Sequence, residues 1–297
     1  MSKFYNYLKN KKHTNLSLYA VFPETKEFDK LKIYINNQNY LDKNKVNSII
    51  NLSFLKDFPI GYVLADKHFT IFGFLGTIFS NRKFGNKTCL HCYLHSWVVN
   101  ENYRLQSYRL LFPILEKNCF ISTFTPIPSL EGLYKKLEFK EVKFYSNFSI
   151  FFKFPFFSKL DIKIDIIKDF KNVLNSDLKV ILEDHSQTKS ECISLDFNNQ
   201  KDEPVFLIIK KRFLKKVIPV IDLLYVSDKD KFFNYRNSIF YELFKKYKTI
   251  FFLEHFLEDE FTNLKSELFS KMTEKKVYYK NLPLNFKFDL LYSELLD

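Results

Sequence analysis

Glycine and proline are scarce in this chain, with five Gly and nine Pro in 297 residues. That excludes collagen-like and linker-rich classes, which depend on these two residues at far higher density. Cysteine is rarer still. The four present, at 89, 92, 119 and 192, are too few for the disulfide framework of a small exported domain. The opening residues MSKFYNYLKNKKH lack the apolar run of a signal peptide. The greasiest stretch, SIFFKFPFF, is about half the length that spans a bilayer and is broken by Lys153 and Pro155. A globular, cytoplasmic protein with reduced thiols and no membrane segment is therefore expected. The phosphate loop of nucleotide hydrolases and the H-E-x-x-H of zinc proteases are missing too.

What the chain does have is aromatic: 36 Phe and 18 Tyr, residues that favour strands and fill cores. Its length exceeds the usual single-domain size, which predicts two domains with a core each. The net charge of +12 is unevenly spread. Residues 1–158 hold 22 Lys+Arg against 11 Asp+Glu, whereas 159–297 hold 24 against 23. An anionic ligand should favour the first half, although a lysine-rich compositional bias gives the same excess.

Apolar runs separated by polar turns predict strands over Ile60–Ala65, Phe69–Ser80, Thr88–Val99 and Cys119–Pro126. Helices follow over Tyr103–Lys117 and Ser129–Leu137, and a last strand over Val142–Phe152. The GNK at Gly85–Lys87 supplies a turn between two long strands. The second half repeats part of this order, with strands over Glu191–Phe197, Val205–Arg212 and Lys216–Val226, a helix over Lys229–Tyr247 and a strand over Thr249–Phe256. Setting WVVNENYRLQSYR beside LYVSDKDKFFNYR aligns Val99 with Val226, Tyr108 with Tyr235 and Arg109 with Arg236 at a constant offset of 127. An internal duplication accounts for this. The expected domains are 1–157 and 158–297, joined near Pro155 to Asp161.

The order strand, V-x-x-x-x-Y-R turn, helix, strand, then a helix with LYKKLEF resembles the GNAT superfamily of N-acetyltransferases. The resemblance covers about Ile60 to Pro155, with a weaker second copy ending in FDLLYSELL. The fold class it implies is α/β, two GNAT-like mixed-sheet domains in tandem, the second degenerate. The family's glycine-rich loop falls on Trp97 to Arg109, where Leu105, Ser107 and Arg109 replace the glycines. Its L-Y-x-K-x-G-F falls on Leu133, Tyr134, Lys136 and Phe139, with Glu138 in place of glycine, and Ile127 stands where an asparagine is common.

The resemblance implies acetyl-CoA, or another acyl-CoA, as cofactor and a small-molecule amine, such as an amino sugar, as acceptor. Pantetheine would pair with the backbone of Trp97, Val98 and Val99, where a distortion frees an amide to polarise the thioester carbonyl. The diphosphate would sit on a helix start, meeting the amides of Leu105, Gln106, Ser107, Tyr108 and Arg109 with help from Arg104. Residues already in helical geometry do not need glycine's positive φ, so the substitutions leave the amides in place. Tyr134 matches the tyrosine that protonates the leaving thiolate. His95, on one strand face with His91 and Tyr93, is the candidate base. The position matching Tyr134 in the second copy is Phe261, which has no proton to give.

Other signals yield to plainer readings. Cys89 and Cys92 form a C-x-x-C, but in a strand they face opposite sides, so no metal is expected. The run KKRFLKK at 210–216 fits a hairpin with solvated lysines better than a nucleic-acid surface. The acidic EDHS and LEDEF read as solvated turns. Two rivals to an enzyme of this type are a non-catalytic tandem GNAT-like binding protein and a tRNA-dependent aminoacyl transferase, the latter drawing on the basic first half.

Overall fold

The computed structural model describes residues 15–38, 43–52, 54–84, 87–124, 126, 128–151, 162–171, 173, 175–197, 203–257, 270–282 and 291–292. The chain forms two compact units, and neither is a continuous half of the sequence. One comprises Met1–Val142, Lys276–Lys287 and Leu295–Asp297; the other comprises Lys143–Lys275 and Phe288–Glu294. The junction expected at residues 157 and 158 lies outside the described residues. No helix among the described residues is long and apolar enough to cross a membrane.

The first unit runs β1 (Ser17–Val21), α1 (Lys26–Asn36), α2 (Lys43–Ile50), β2 (Gly61–Ala65), β3 (Ile71–Phe84) and β4 (Lys87–Val99). A 3-10 helix η1 (Glu101–Leu111) then runs into α3 (Phe112–Leu115), followed by β5 (Phe120–Thr123), the turn η2 (Pro128–Leu130) and α4 (Glu131–Lys136). The far end of the sequence adds β12 (Ser270–Lys280) through its residues from Lys276 on, of which Tyr278, Tyr279 and Lys280 pair with Thr123, Ser122 and Ile121. Strand order is β1-β2-β3-β4-β5-β12. All neighbours are antiparallel except β4 and β5, which are parallel.

Both sheet faces are covered, so all five residues of β2 are buried. One core sets Val21, Val63 and Phe74 against Leu31 and Ile35 of α1 and Ile50 of α2. In α1 the spacing of Phe28, Leu31 and Ile35 makes one apolar stripe, and Thr25 caps the helix by accepting from the Phe28 amide at 3.3 Å. The opposite core sets Cys92, Leu94 and Ile121 against Leu110, Leu111, Ile114 and Tyr134. The expected GNK turn is bracketed by the Phe84–Lys87 pair; Gly85 and Asn86 lie outside the described residues.

The second unit takes β6 (Lys140–Ile150) through its residues from Lys143 on, then β7 (Ile162–Ile166), α5 (Ser176–Ser186), β8 (Ser190–Phe197), β9 (Val205–Leu214), β10 (Ile218–Val226), α6 (Lys229–Tyr247) and β11 (Phe251–Leu257). Its strands lie in the order β7-β8-β9-β10-β11-β6. Again one neighbouring pair, β10 and β11, is parallel. Helix α6 has the bounds its sequence predicts. Asp228 caps its start by accepting from the Lys231 amide at 2.9 Å, and Lys248 ends it in the left-handed region at φ 56°. The run KKRFLKK does form a hairpin, β9 ending at Leu214 and β10 starting at Ile218. EDHS is not a solvated turn. It closes α5, where His185 is fully buried and its Nδ1 lies 2.8 Å from the Ile181 carbonyl. Most of LEDEF lies outside the described residues.

Candidate active site

Strand β4 is irregular against β3 near the place where its ladder with β5 ends. Toward β3 the register jumps: Phe74 pairs with Val98 and Gly76 with His95, so Leu75 alone faces Ser96 and Trp97. This is a β-bulge, with Ser96 in the left-handed region at φ 47°. Toward β5 the ladder runs His91–Phe120, Cys92–Ile121, Tyr93–Ser122 and stops. Among the described residues, β4 has no β5 partner from Leu94 to Val99, because β5 itself ends at Thr123. The extra bulge residue also resets the side-chain phase. Leu94 is followed on the α4 side by Trp97 and Val99, where strict alternation would have placed Ser96 and Val98.

Tyr134 stands beside the bulge. Its ring meets Trp97 edge-on at 6.2 Å and its hydroxyl bonds the Thr123 side chain. Only 2% of the residue is exposed, and burial pushes its pKa up against the opposing Thr123 bond, so the phenol keeps its proton at neutral pH. Tyr278 of β12 stacks on it at 5.1 Å and 21°. Sequence reasoning missed Tyr278. The alternation in EKKVYYK signals a strand, but nothing local says that it joins the first unit.

His91, Tyr93 and His95 do share a face, each opposite Ser80, Ile78 and Gly76 in turn. His95 lies flat over Gly76, where a Cβ would come within 2.2 Å of the imidazole, so only glycine fits there. Its Nδ1 is 3.0 Å from Ser96 Oγ, and its buried Nε2 has no hydrogen-bond partner among the described residues. Burial lowers the His95 pKa to about 3. His91, with Nε2 at 2.8 Å from Ser122 Oγ, is held well below the usual range by burial and then by the Arg82 charge. Both rings are thus folded in their neutral form. The unfolded chain takes up these protons below about pH 6.5 while the native state refuses them, so stability falls as pH falls. For His95 alone the loss at pH 5 is about 2 kcal/mol. Thermal unfolding at pH 7 and pH 5 measures it, and His95→Gln should flatten the dependence.

The helix after β4 begins earlier than expected and has another form. η1 starts at Glu101 and is 3-10 throughout, an uncommon length for that form. Pro113 lacks the amide an α-helix through Arg109 would need, and α3 starts afresh around it. Asn100 caps η1, its Oδ1 accepting from the Asn102 amide at 3.2 Å and its carbonyl from Tyr103 at 2.9 Å. Leu105, Gln106, Ser107, Tyr108 and Arg109 therefore lie inside the 3-10 helix, well past its first turn. Arg109 points away from the turn, donating to Gln106 Oε1 at 2.8 Å and to the Leu16 carbonyl at 3.0 Å. Arg104 is exposed and paired with Glu101. Leu105 is 91% exposed.

Cys89 and Cys92 fall on opposite faces of β4, opposite Arg82 and Phe79, and Cys92 belongs to the apolar core. None of the four cysteines, all of them described, is in a disulfide.

No family model and no curated protein sequence matches the chain. Solved structures do match it. A GCN5-related N-acetyltransferase from Kribbella flavida superposes with a TM-score of 0.60 at 8% identity, over 91% of this chain and 72% of that one. One from Anabaena variabilis gives 0.56 at 11% identity, over 89% and 72%. A fungal multi-domain β-N-acetylglucosaminidase with a GCN5-related glucosamine N-acetyltransferase region gives 0.54 at 11% identity, over 91% of this chain and 38% of that one. The chain has the fold of the GCN5-related N-acetyltransferases. At these identities the likeness is one of architecture.

The second unit has an irregular strand of its own, with other chemistry around it. Among the described residues β10 and β11 pair at Ile221–Phe252 and Asp222–Leu253, and Leu224 bulges from the β9 ladder, 127 residues after Trp97. Buried Asp222 lies 2.7 Å from His255 Nε2, Ser146 Oγ lies 2.9 Å from His255 Nδ1, and Arg212 pairs with Asp222 from the other side. On the helix face, Arg236 and Glu254 form a buried ion pair with Nε to Oε1 at 2.7 Å. Phe261 lies outside the described residues.

Proposed function

We propose that the first unit transfers an acyl group, acetyl in the simplest case, from coenzyme A to a small-molecule amine, and that the second is a degenerate copy of it. The reading rests on one observation above others: the β4–β5 ladder ends after Tyr93, and the bulge of β4 follows at Ser96–Trp97. A thioester arm pairing with Trp97, Val98 and Val99 would add a strand beside β4 beyond the end of β5. The bulge amide would polarise the carbonyl, and Tyr134 would protonate the sulfur.

His95 has a narrower role than a base. With a pKa of about 3 it cannot store a proton at neutral pH, so the amine must arrive neutral or lose its proton to water. The diphosphate would meet the Asn100–Tyr103 turn and the side chains of Arg104 and Ser107. The lack of glycine at 105, 107 and 109 favours the rival reading of a non-catalytic binding protein. An amino sugar is one acceptor of the right class; the fungal region with this fold carries glucosamine in its name.

Calorimetry with acetyl-CoA separates the two. Saturable heat, weakened about tenfold or more by Ser107→Asp through like-charge repulsion, supports the transferase. No heat and no thermal shift at saturating cofactor supports the rival.

A further inference from the structure

We propose that Tyr278 is a positioning residue for Tyr134, so that a strand from the far end of the sequence sets the acid of the first unit. The inference rests on the acyltransferase reading above. In β12 the residues Lys276, Tyr278 and Lys280 alternate onto one face, and that face grips α4 along its length. Lys276 Nζ lies 4.0 Å from Glu131 Oε2 at the helix start. Tyr278 stacks on Tyr134 in the middle. Lys280 Nζ donates to the Leu137 carbonyl at the helix end at 2.8 Å, where a cation suits the dipole.

Two further contacts fix Tyr278 itself. Its hydroxyl donates to Glu141 Oε2 at 3.0 Å, and Lys276 stands 3.6 Å from the other Glu141 oxygen. In the ladder Tyr278 is directly opposite Thr123, whose side chain bonds Tyr134. Helix α4 spans six residues, far below the length at which a helix holds itself in water. Its orientation, and with it the direction of the Tyr134 hydroxyl, must come from what it packs on.

In the transfer the amine nitrogen forms the C–N bond, the C–S bond breaks, Tyr134 gives its proton to the thiolate, and the amine's proton leaves to water, which reprotonates Tyr134. Loss of the Tyr278 ring should misplace only the protonation of sulfur. The test compares Tyr278→Leu and Tyr278→Phe in the full chain, using thiol release from acetyl-CoA with glucosamine as the amine, or slow hydrolysis of bound acetyl-CoA, alongside calorimetric affinity for acetyl-CoA. Tyr278→Leu should lower kcat at least tenfold with Kd and KM within twofold, and Tyr278→Phe, which keeps the stack, should recover most of the rate. Wild-type turnover in Tyr278→Leu overturns the proposal, and so does a parallel loss of affinity and rate in both variants. Absence of acetyl-CoA binding in the unaltered chain removes the acyltransferase reading itself, and this inference with it.

Discussion

Tyr134→Phe is expected to slow acyl transfer by about 10²- to 10⁴-fold, the usual contribution of a positioned proton donor, while leaving acetyl-CoA affinity near its original value. The phenol is buried and its pKa is pushed up, so it enters the reaction protonated at any physiological pH. Phenylalanine keeps the stack on Tyr278 and the edge contact with Trp97, and removes only the hydroxyl that bonds Thr123. The measurement is steady-state thiol release beside calorimetry. A rate unchanged with intact binding would assign proton delivery to another group and leave Tyr134 as a packing residue.

The largest effect on stability is expected in the second unit. Glu254→Gln leaves the Arg236 guanidinium in the core without its carboxylate, and breaking a buried pair in this way costs about 3–5 kcal/mol. Arg236 is 7% exposed and Glu254 2%, so water cannot take over the lost interaction. The double variant Arg236→Met with Glu254→Leu should recover most of that loss, because it removes the desolvation cost of both charges together. Urea denaturation of the two variants against the parent reads the difference. A single variant as stable as the parent would mean that the guanidinium reaches solvent in solution.

The sequence made the local elements legible where apolar period and punctuation agree. Helix α6 appears with its predicted bounds because Asp228 and the lysines at its end mark both limits. The four strands of the first sheet that carry dense apolar runs appear within a few residues. The form of η1 was not legible, since YRLQSYRLLF has an ordinary amphipathic helical pattern and nothing in it announces 3-10 winding from Glu101. The bulge at Ser96 was equally hidden, because it depends on how two strands slide past each other. His95 shows the same limit for chemistry. Its place on a strand face could be read, but its depth over Gly76, which takes away its basicity, is a tertiary property. Tyr278 lies furthest from any local signal, 144 positions beyond the ring it touches.

The exchange of strands also has a consequence for how the chain is made. The sheet holding β5 lacks its outer neighbour until Lys280 has been synthesised, 138 residues after Val142. At about 5–20 residues per second the ribosome needs roughly 7–28 s to supply it. Throughout that interval the nascent first unit carries an open sheet border at Ile121–Thr123, the kind of border that invites pairing with other chains. Biogenesis of this protein should therefore depend on chaperones that shield unfinished sheets, and its yield should be sensitive to the pace of translation through the second half of the message.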